Sequence, residues 1–364
     1  MRNNISKEVF INRIRRFQEL LKQRNIDAAM IRTLSSFIYF TGTKWLRPSI
    51  LIPADGDPIV FLADGEEDGF KERSWISNII TYKEGGEVMA KVSSLIRNED
   101  YRTIGIEYGI ERDAYIIFYE MFKRLNPRVN IVDVSDITYD LRMIKDDFEL
   151  DRIRKAGEIA SKVMNRLLNE IDIGLSETDI AAKAYEYLYK SGSENPHVYV
   201  NIGPHPRIHS EPFRDILVRK NIFVTIVLGA DYDHYYVNMT RTVFIGKNDF
   251  AERALKCVEE AYNTAVEITR VGVKPMTVMK KLDKIYEKYG MLKYAVKGYL
   301  HGVGLQIEEV PITTILPKHR SIELKPNMVI SFIHAPLMIQ GLGQVKKEDT
   351  FILTKDNELE TVTK

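Results

Sequence analysis

Two stretches of this chain register on one another 98 residues apart, and that repeat limits the fold more than any other feature. "IGLSETDIAAKAYEYLYKSG" (173–192) and "VGVKPMTVMKKLDKIYEKYG" (271–290) match at Gly174 and Gly272, Lys183 and Lys281, Lys190 and Lys288, and Gly192 and Gly290. Each copy follows a long amphipathic helical pattern and precedes strand-like sequence. Helices that end in glycine are common, so one such pair could coincide. Because the flanking elements repeat as well, a duplicated helix–helix–sheet unit is the better reading, with two halves facing each other around a central cleft.

The first copy opens at "MIKDDFELDRIRKAGEIASKVMNRLLNE", where Leu150, Ile153, Ala156, Ile159, Ala160, Val163, Met164 and Leu167 form one helical stripe. The sequence before it has a different character. An amphipathic helix from Glu8 to about Arg24 leads into short apolar runs, "AAMIR", "FIYF", "SILIPADGDPIVFLA", "TIGIEYG" and "VNIVDV". Read as strands, these alternate with helical stretches near 86–97 and 113–125, and Asp55-Gly56 signals a hairpin turn. The expectation is an α+β chain: an N-terminal α/β domain over 1–137, a linker over 138–148, and the duplicated domain over 149–364.

A length of 364 residues suits two domains. Lys+Arg total 52 against 51 for Asp+Glu, a formal charge of +1, which supplies no field to attract nucleic acid or an anionic membrane. A small-molecule or dipeptide-like ligand is the expected partner. One cysteine, Cys257, excludes a disulfide framework and a cysteine-based zinc site. The polar start "MRNNISKEVF" and the shortness of the apolar run Ile222 to Ala230 point to a cytoplasmic protein that does not span a membrane.

Seven histidines are present, none paired at the HExxH spacing of a zinc-binding helix. His205 and His209 are four apart, but Pro204 and Pro206 forbid a regular helix through them. In "HGVGLQIEEVP" (301–311), Gly302 and Gly304 let backbone pass close to a bound group, with His301 at the point of closest approach. "VTIVLGADYDHYYVNMTRTVF" (224–244) reads as two strands with Asp231, Asp233 and His234 in the turn.

These motifs resemble the creatinase and Xaa-Pro dipeptidase family, proteins of the pita-bread fold that also includes methionine aminopeptidases. "LLKQRNIDAAMIRTLSSFIYFTGT" is similar to the opening of the family's N-terminal domain and "LRMIKDDFELDRIRKAGEIA" to its interdomain passage; "HGVGL", "KPNMVIS" and "KKEDTFILT" follow in the family's order. The resemblance implies five side chains that bind two divalent metals: two Asp on the central hairpin, one His and two Glu on the last strands. Gly229, Ala230, Tyr232, Tyr235, Thr240, Arg241 and Thr242 fix the hairpin's register. The five positions then fall on Val227, Asn238, His301, Ile333 and Glu348, so two ligands of five remain. One carboxylate leaves most of the charge of two dications uncompensated, at several kcal/mol per ion in a buried site. No metal is therefore favoured. The alternative is a single divalent ion (Mn, Co or Zn) on His301, His334 and Glu348, with a one-residue bulge bringing His334 inward.

The resemblance places His209 at the family's substrate-facing histidine and Glu308 where a second loop histidine is usual. It also implies a homodimer. Creatinase, which lacks the metal carboxylates and cleaves a guanidino C–N bond with a histidine matched by His209, supplies a precedent. The leading expectation is metal-independent hydrolysis of a C–N bond in a small amino-acid-like or guanidino-like substrate. His209, His301 and Glu308 would be catalytic, with Arg241, Glu348, Asn238 and Tyr235 binding substrate. Two alternatives stand beside it: an Xaa-Pro dipeptidase with an altered or single-metal site, and a non-catalytic binding protein.

Overall fold

The computed structural model describes residues 7–109, 115–208, 210–333 and 335–364, which divide into two compact units, Met1–Arg142 and Met143–Lys364. In the first, α1 (Lys7–Gln23), β1 (Ala28–Ile31), α2 (Leu34–Thr41), β2 (Ile50–Pro53), β3 (Ile59–Ala63), α3 (Glu67–Lys71) and β4 (Ile79–Tyr82) are followed by α4 (Gly85–Asn98), β5 (Thr103–Ile106), α5 (Tyr115–Leu125), β6 (Asn130–Asp133) and α6 (Ser135–Met143). The six strands form one sheet in the order β4-β3-β2-β1-β5-β6. Val88, Val92 and Ile96 from one face of α4, with Phe118 and Phe122 of α5, pack against Met30, Phe61 and Ile104 of the sheet. The Asp55-Gly56 turn joins antiparallel β2 and β3, with Gly56 at φ +107°.

"FIYF" is a correction. Residues 37–40 lie in α2, not in a strand. Every residue of α2 after Leu34 is buried, and an apolar run buried on all sides has no polar spacing to distinguish period 2 from period 3.6. Gly42, left-handed at φ +79° with its N–H on the Ile38 carbonyl, closes the helix. The span expected as a linker, 138–148, is also largely helical. It contains the end of α6, and the next helix starts at Asp147 behind a reciprocal cap, Asp146 accepting from Glu149 N and Glu149 from Asp146 N.

The second unit runs α7 (Asp147–Leu168), α8 (Glu177–Lys190), β7 (His197–Ile202), β8 (Ile222–Tyr232) and β9 (Tyr235–Ile245), then α9 (Asp249–Ile268), α10 (Pro275–Lys288), β10 (Leu300–Gly302), β11 (Glu309–Ile312), β12 (Val329–Phe332), β13 (Leu337–Ile339), β14 (Gly343–Val345), β15 (Asp349–Leu353) and β16 (Leu359–Thr361). The repeat is visible in the elements: α8 and α10 begin and end 98 residues apart, and Gly174, Gly272, Gly192 and Gly290 all have positive φ. All eight stripe residues of α7 are buried, and the helix packs on β8 and β9. Besides the β13-β14 pair, strands β7-β8-β9 form one sheet and β11-β10-β12-β15-β16 the other. They meet where Thr240 N donates to Glu348 O (3.0 Å) and Glu348 N to Thr240 O (3.1 Å), which makes the junction of the duplicated halves the natural place for a site. Among the described residues no helix is long and apolar enough to cross a membrane.

Candidate active site

Strand alternation decides which side chains share this junction. The register Tyr199↔Val227↔Thr240, flanked by His197↔Gly229↔Asn238 and by Asn201↔Thr225↔Thr242, puts these residues on one face of the three-stranded sheet. A contact of 2.9 Å between the Thr225 and Thr242 hydroxyls agrees. On the other sheet His301 pairs with Ser331 and Ser331 with Thr350, so Glu348, two residues before Thr350, lies on their side. Thr350 ties the two together, its hydroxyl accepting from Asn238 N and donating to Asn238 O, both at 2.9 Å.

Glu348 is the centre of the arrangement. It is 1% exposed, and protein donors occupy both of its oxygens. Oε1 accepts from the Ser331 hydroxyl (2.9 Å) and faces His301 Nε2 (3.1 Å). Oε2 accepts from the Thr240 hydroxyl (2.7 Å) and pairs with the ammonium of Lys346 at 2.7 Å, itself 4% exposed. The other ring nitrogen of His301, Nδ1, lies 2.8 Å from the Gly302 carbonyl. With an acceptor at each nitrogen, the ring makes both hydrogen bonds only as imidazolium. Burial by itself would lower the His301 pKa. The hydrogen bond to Glu348, the charges of Glu308 and Glu348 and the Gly302 carbonyl outweigh it and leave the pKa raised.

The loop after His301 depends on its glycines, and the groups they let approach are the chain's own. A Cβ on Gly302 would collide with the Glu309 and Val310 carbonyls, and one on Gly304 with the Glu309 carboxylate. That carboxylate, 5% exposed, is held by Lys145 at 2.8 Å, 1% exposed. A buried ion pair therefore fixes the return of the loop beside His301.

The donor set does not fit a two-metal centre. Val227 and Ile333 occupy two of the five family positions, buried at 5% and 2% exposure, and neither has a ligating atom. Asn238 donates Nδ2 to the Ile307 carbonyl at 2.6 Å, a bond that a carboxylate could not make. Both ring nitrogens of His301 face acceptors and both oxygens of Glu348 carry protein partners, so a metal would have to displace these contacts. Two buried cations, Lys346 and His301, stand around the one carboxylate.

Three sequence expectations need correction. Arg241 and Tyr235 were expected to bind substrate, yet both lie on the opposite face of β9 from Asn238 and Thr240. Arg241 spends its guanidinium on Asp349 (2.9 Å) and on the Thr240 and Glu348 carbonyls, while Tyr235 is 2% exposed and packs edge-on to Phe148 of α7. Asp231 is not in the turn: it is a fully buried residue of β8 that accepts from Glu194 N and Asn195 N. Glu308 is half-buried, and its charge, with that of Glu211, adds to burial in raising the pKa of Tyr199 on the site face. His209 and His334 lie outside the described residues.

Lys346, Ser331 and Lys145 were missed. Period-2 spacing held the signal for the first, since Lys346 and Glu348 share a face if the strand is extended through them. Nothing local marks Lys145, whose partner is 164 residues away.

Comparison with known proteins agrees with this architecture. Residues 13–144 match the model of the creatinase/prolidase N-terminal domain, and residues 151–355 match that of metallopeptidase family M24. The Xaa-Pro dipeptidase of Pyrococcus furiosus is 29% identical over 351 residues, covering 94% of this chain and 95% of that protein. An uncharacterized peptidase of Methanocaldococcus jannaschii is 25% identical over 363 residues, covering 98% of this chain and 96% of that protein. Among solved structures, the prolidase from Pyrococcus horikoshii OT3 superposes with a TM-score of 0.86 at 27% identity, covering 97% of this chain and 98% of that one.

Proposed function

This chain belongs to metallopeptidase family M24, and on that footing we propose that it hydrolyses a C–N bond in a small amino-acid-like substrate without a resident metal. The observation that carries this reading is the saturation of Glu348. The one carboxylate left among the five family positions has Lys346, His301, Thr240 and Ser331 on its two oxygens, so its charge is already balanced by protein groups.

In the proposed reaction water adds to the acyl or amidine carbon, the C–N bond breaks, and the leaving nitrogen takes up a proton. His209, assigned on its family position, takes the proton from water and delivers it to nitrogen. A histidine's ordinary pKa lies close enough to neutrality for both transfers. His301 and Lys346 supply positive charge beside Glu348, which favours negative charge developing on the attacked group. Glu308, on the same loop as His301, offers a carboxylate to a cationic end.

Turnover of N-acyl amino acids, amidines and ureas, assayed in the presence of a chelator, tests the proposal. At least one class is expected to be hydrolysed, and His209→Ala is expected to slow that reaction by about 10²–10⁴-fold, the usual size of a general acid–base contribution. Ligand binding without turnover on any class would make the chain a binding protein. Metal-dependent cleavage of an Xaa-Pro dipeptide would give it the activity for which its relatives are named.

A further inference from the structure

We infer that Asn238 is a specificity-determining residue that accepts a hydrogen bond from an N–H of the bound molecule, so that the cleft selects a secondary amide over the tertiary Xaa-Pro linkage. The inference rests on the reading of this cleft as the binding site for an amino-acid-like substrate.

Asn238 is 3% exposed and shares the site face with Thr240. Its Nδ2 donates to the Ile307 carbonyl at 2.6 Å. That bond fixes the amide's orientation, because a flipped group would set two acceptor oxygens against each other. Oδ1 is then left buried with no hydrogen-bond partner among the described residues. Orphaned buried acceptors are costly and uncommon, and call for a bound group or a function.

The neighbours on this wall do not supply the missing donor. Val227 has none; the Thr240 hydroxyl is given to Glu348, and that of Thr350 to the Asn238 carbonyl. Ile307 seats its side chain over Gly229, the cross-strand partner of Asn238, where any Cβ would strike its Cδ1. A ligand that reaches Oδ1 displaces what buries it and brings an N–H in its place. A secondary amide nitrogen carries one hydrogen. An acylated proline nitrogen carries none, and its ring would press carbon against a buried oxygen.

Isothermal titration of N-acetylglycine against N-acetylsarcosine, which differs by an N-methyl group, tests the assignment. The wild-type chain is expected to bind the N–H compound at least about tenfold more tightly, a difference on the scale of one hydrogen bond. In Asn238→Leu the ratio is expected to fall to near one. In Asn238→Ala, a smaller truncation, the ratio is expected to fall likewise, so the comparison survives if the leucine variant is poorly folded. Equal affinities in the wild type, a preference that persists in Asn238→Leu, or binding of neither compound overturns the inference. An N–H preference without any turnover would sink the hydrolytic reading and leave this one standing; turnover blind to N-methylation would do the reverse.

Discussion

Glu348→Gln is expected to lower the unfolding free energy by about 3–5 kcal/mol, the usual result of removing one partner of a buried charge pair. The side chain is 1% exposed, with the Lys346 ammonium on one oxygen and His301 on the other. An amide of the same shape leaves the buried Lys346 ammonium facing a neutral group and takes from His301 the contact that holds its pKa up. The sign of the effect is diagnostic. In a metal-free two-metal site the same change would remove one of four mutually repelling carboxylates and stabilise the fold. A guanidinium melt reads the difference directly, and the double variant Glu348→Gln/Lys346→Met should lose less than the sum of its parts, because a cation leaves with its partner. A stabilised Glu348→Gln would contradict the charge assignment.

Lys145→Met is expected to cost a similar amount, about 3–5 kcal/mol, for the same reason at a different place. Glu309, 5% exposed, would stay buried against Gly304 without its ammonium partner at 2.8 Å. Local consequences should accompany the global one: the loop that shapes the His301 environment loosens. Hydrogen exchange of the backbone N–H groups of residues 302–309 should speed up in the variant more than exchange in β8. A loss below about 1 kcal/mol, the size found for exposed pairs, would mean that water reaches Glu309 in the native state.

Much of the fold was legible because the signals were periodic. The 98-residue repeat reappears in the bounds of α8 and α10, and the α7 stripe is buried as its 3.6-residue spacing requires. Where period gave no information, the reading failed, as in "FIYF", which α2 buries on nearly every side. The reciprocal Asp146–Glu149 cap was readable as Asp-x-x-Glu before an apolar stripe and would have placed the start of α7 inside the expected linker.

The site was legible in its positions and less so in its directions. Motif register located Asn238, His301 and Glu348 together, yet assigned Arg241 and Tyr235 to the same surface. Their odd-numbered spacing from Asn238 along a strand already put them on the other face. Lys346 stands two residues from Glu348 but carries no metal-ligand signal, because an ammonium has no lone pair to offer. The Lys145–Glu309 pair was out of reach, since only the folded chain brings those residues together.

The central claim is that protein cations have taken over the balance of charge in a cleft whose relatives carry the M24 fold. Metal content tests it most directly: the purified protein is incubated in turn with Mn, Co and Zn salts, desalted, and analysed by plasma mass spectrometry. The account predicts that no stoichiometric metal stays bound in any of the three. Two equivalents of one of them per chain, retained together with cleavage of an Xaa-Pro dipeptide, would contradict it.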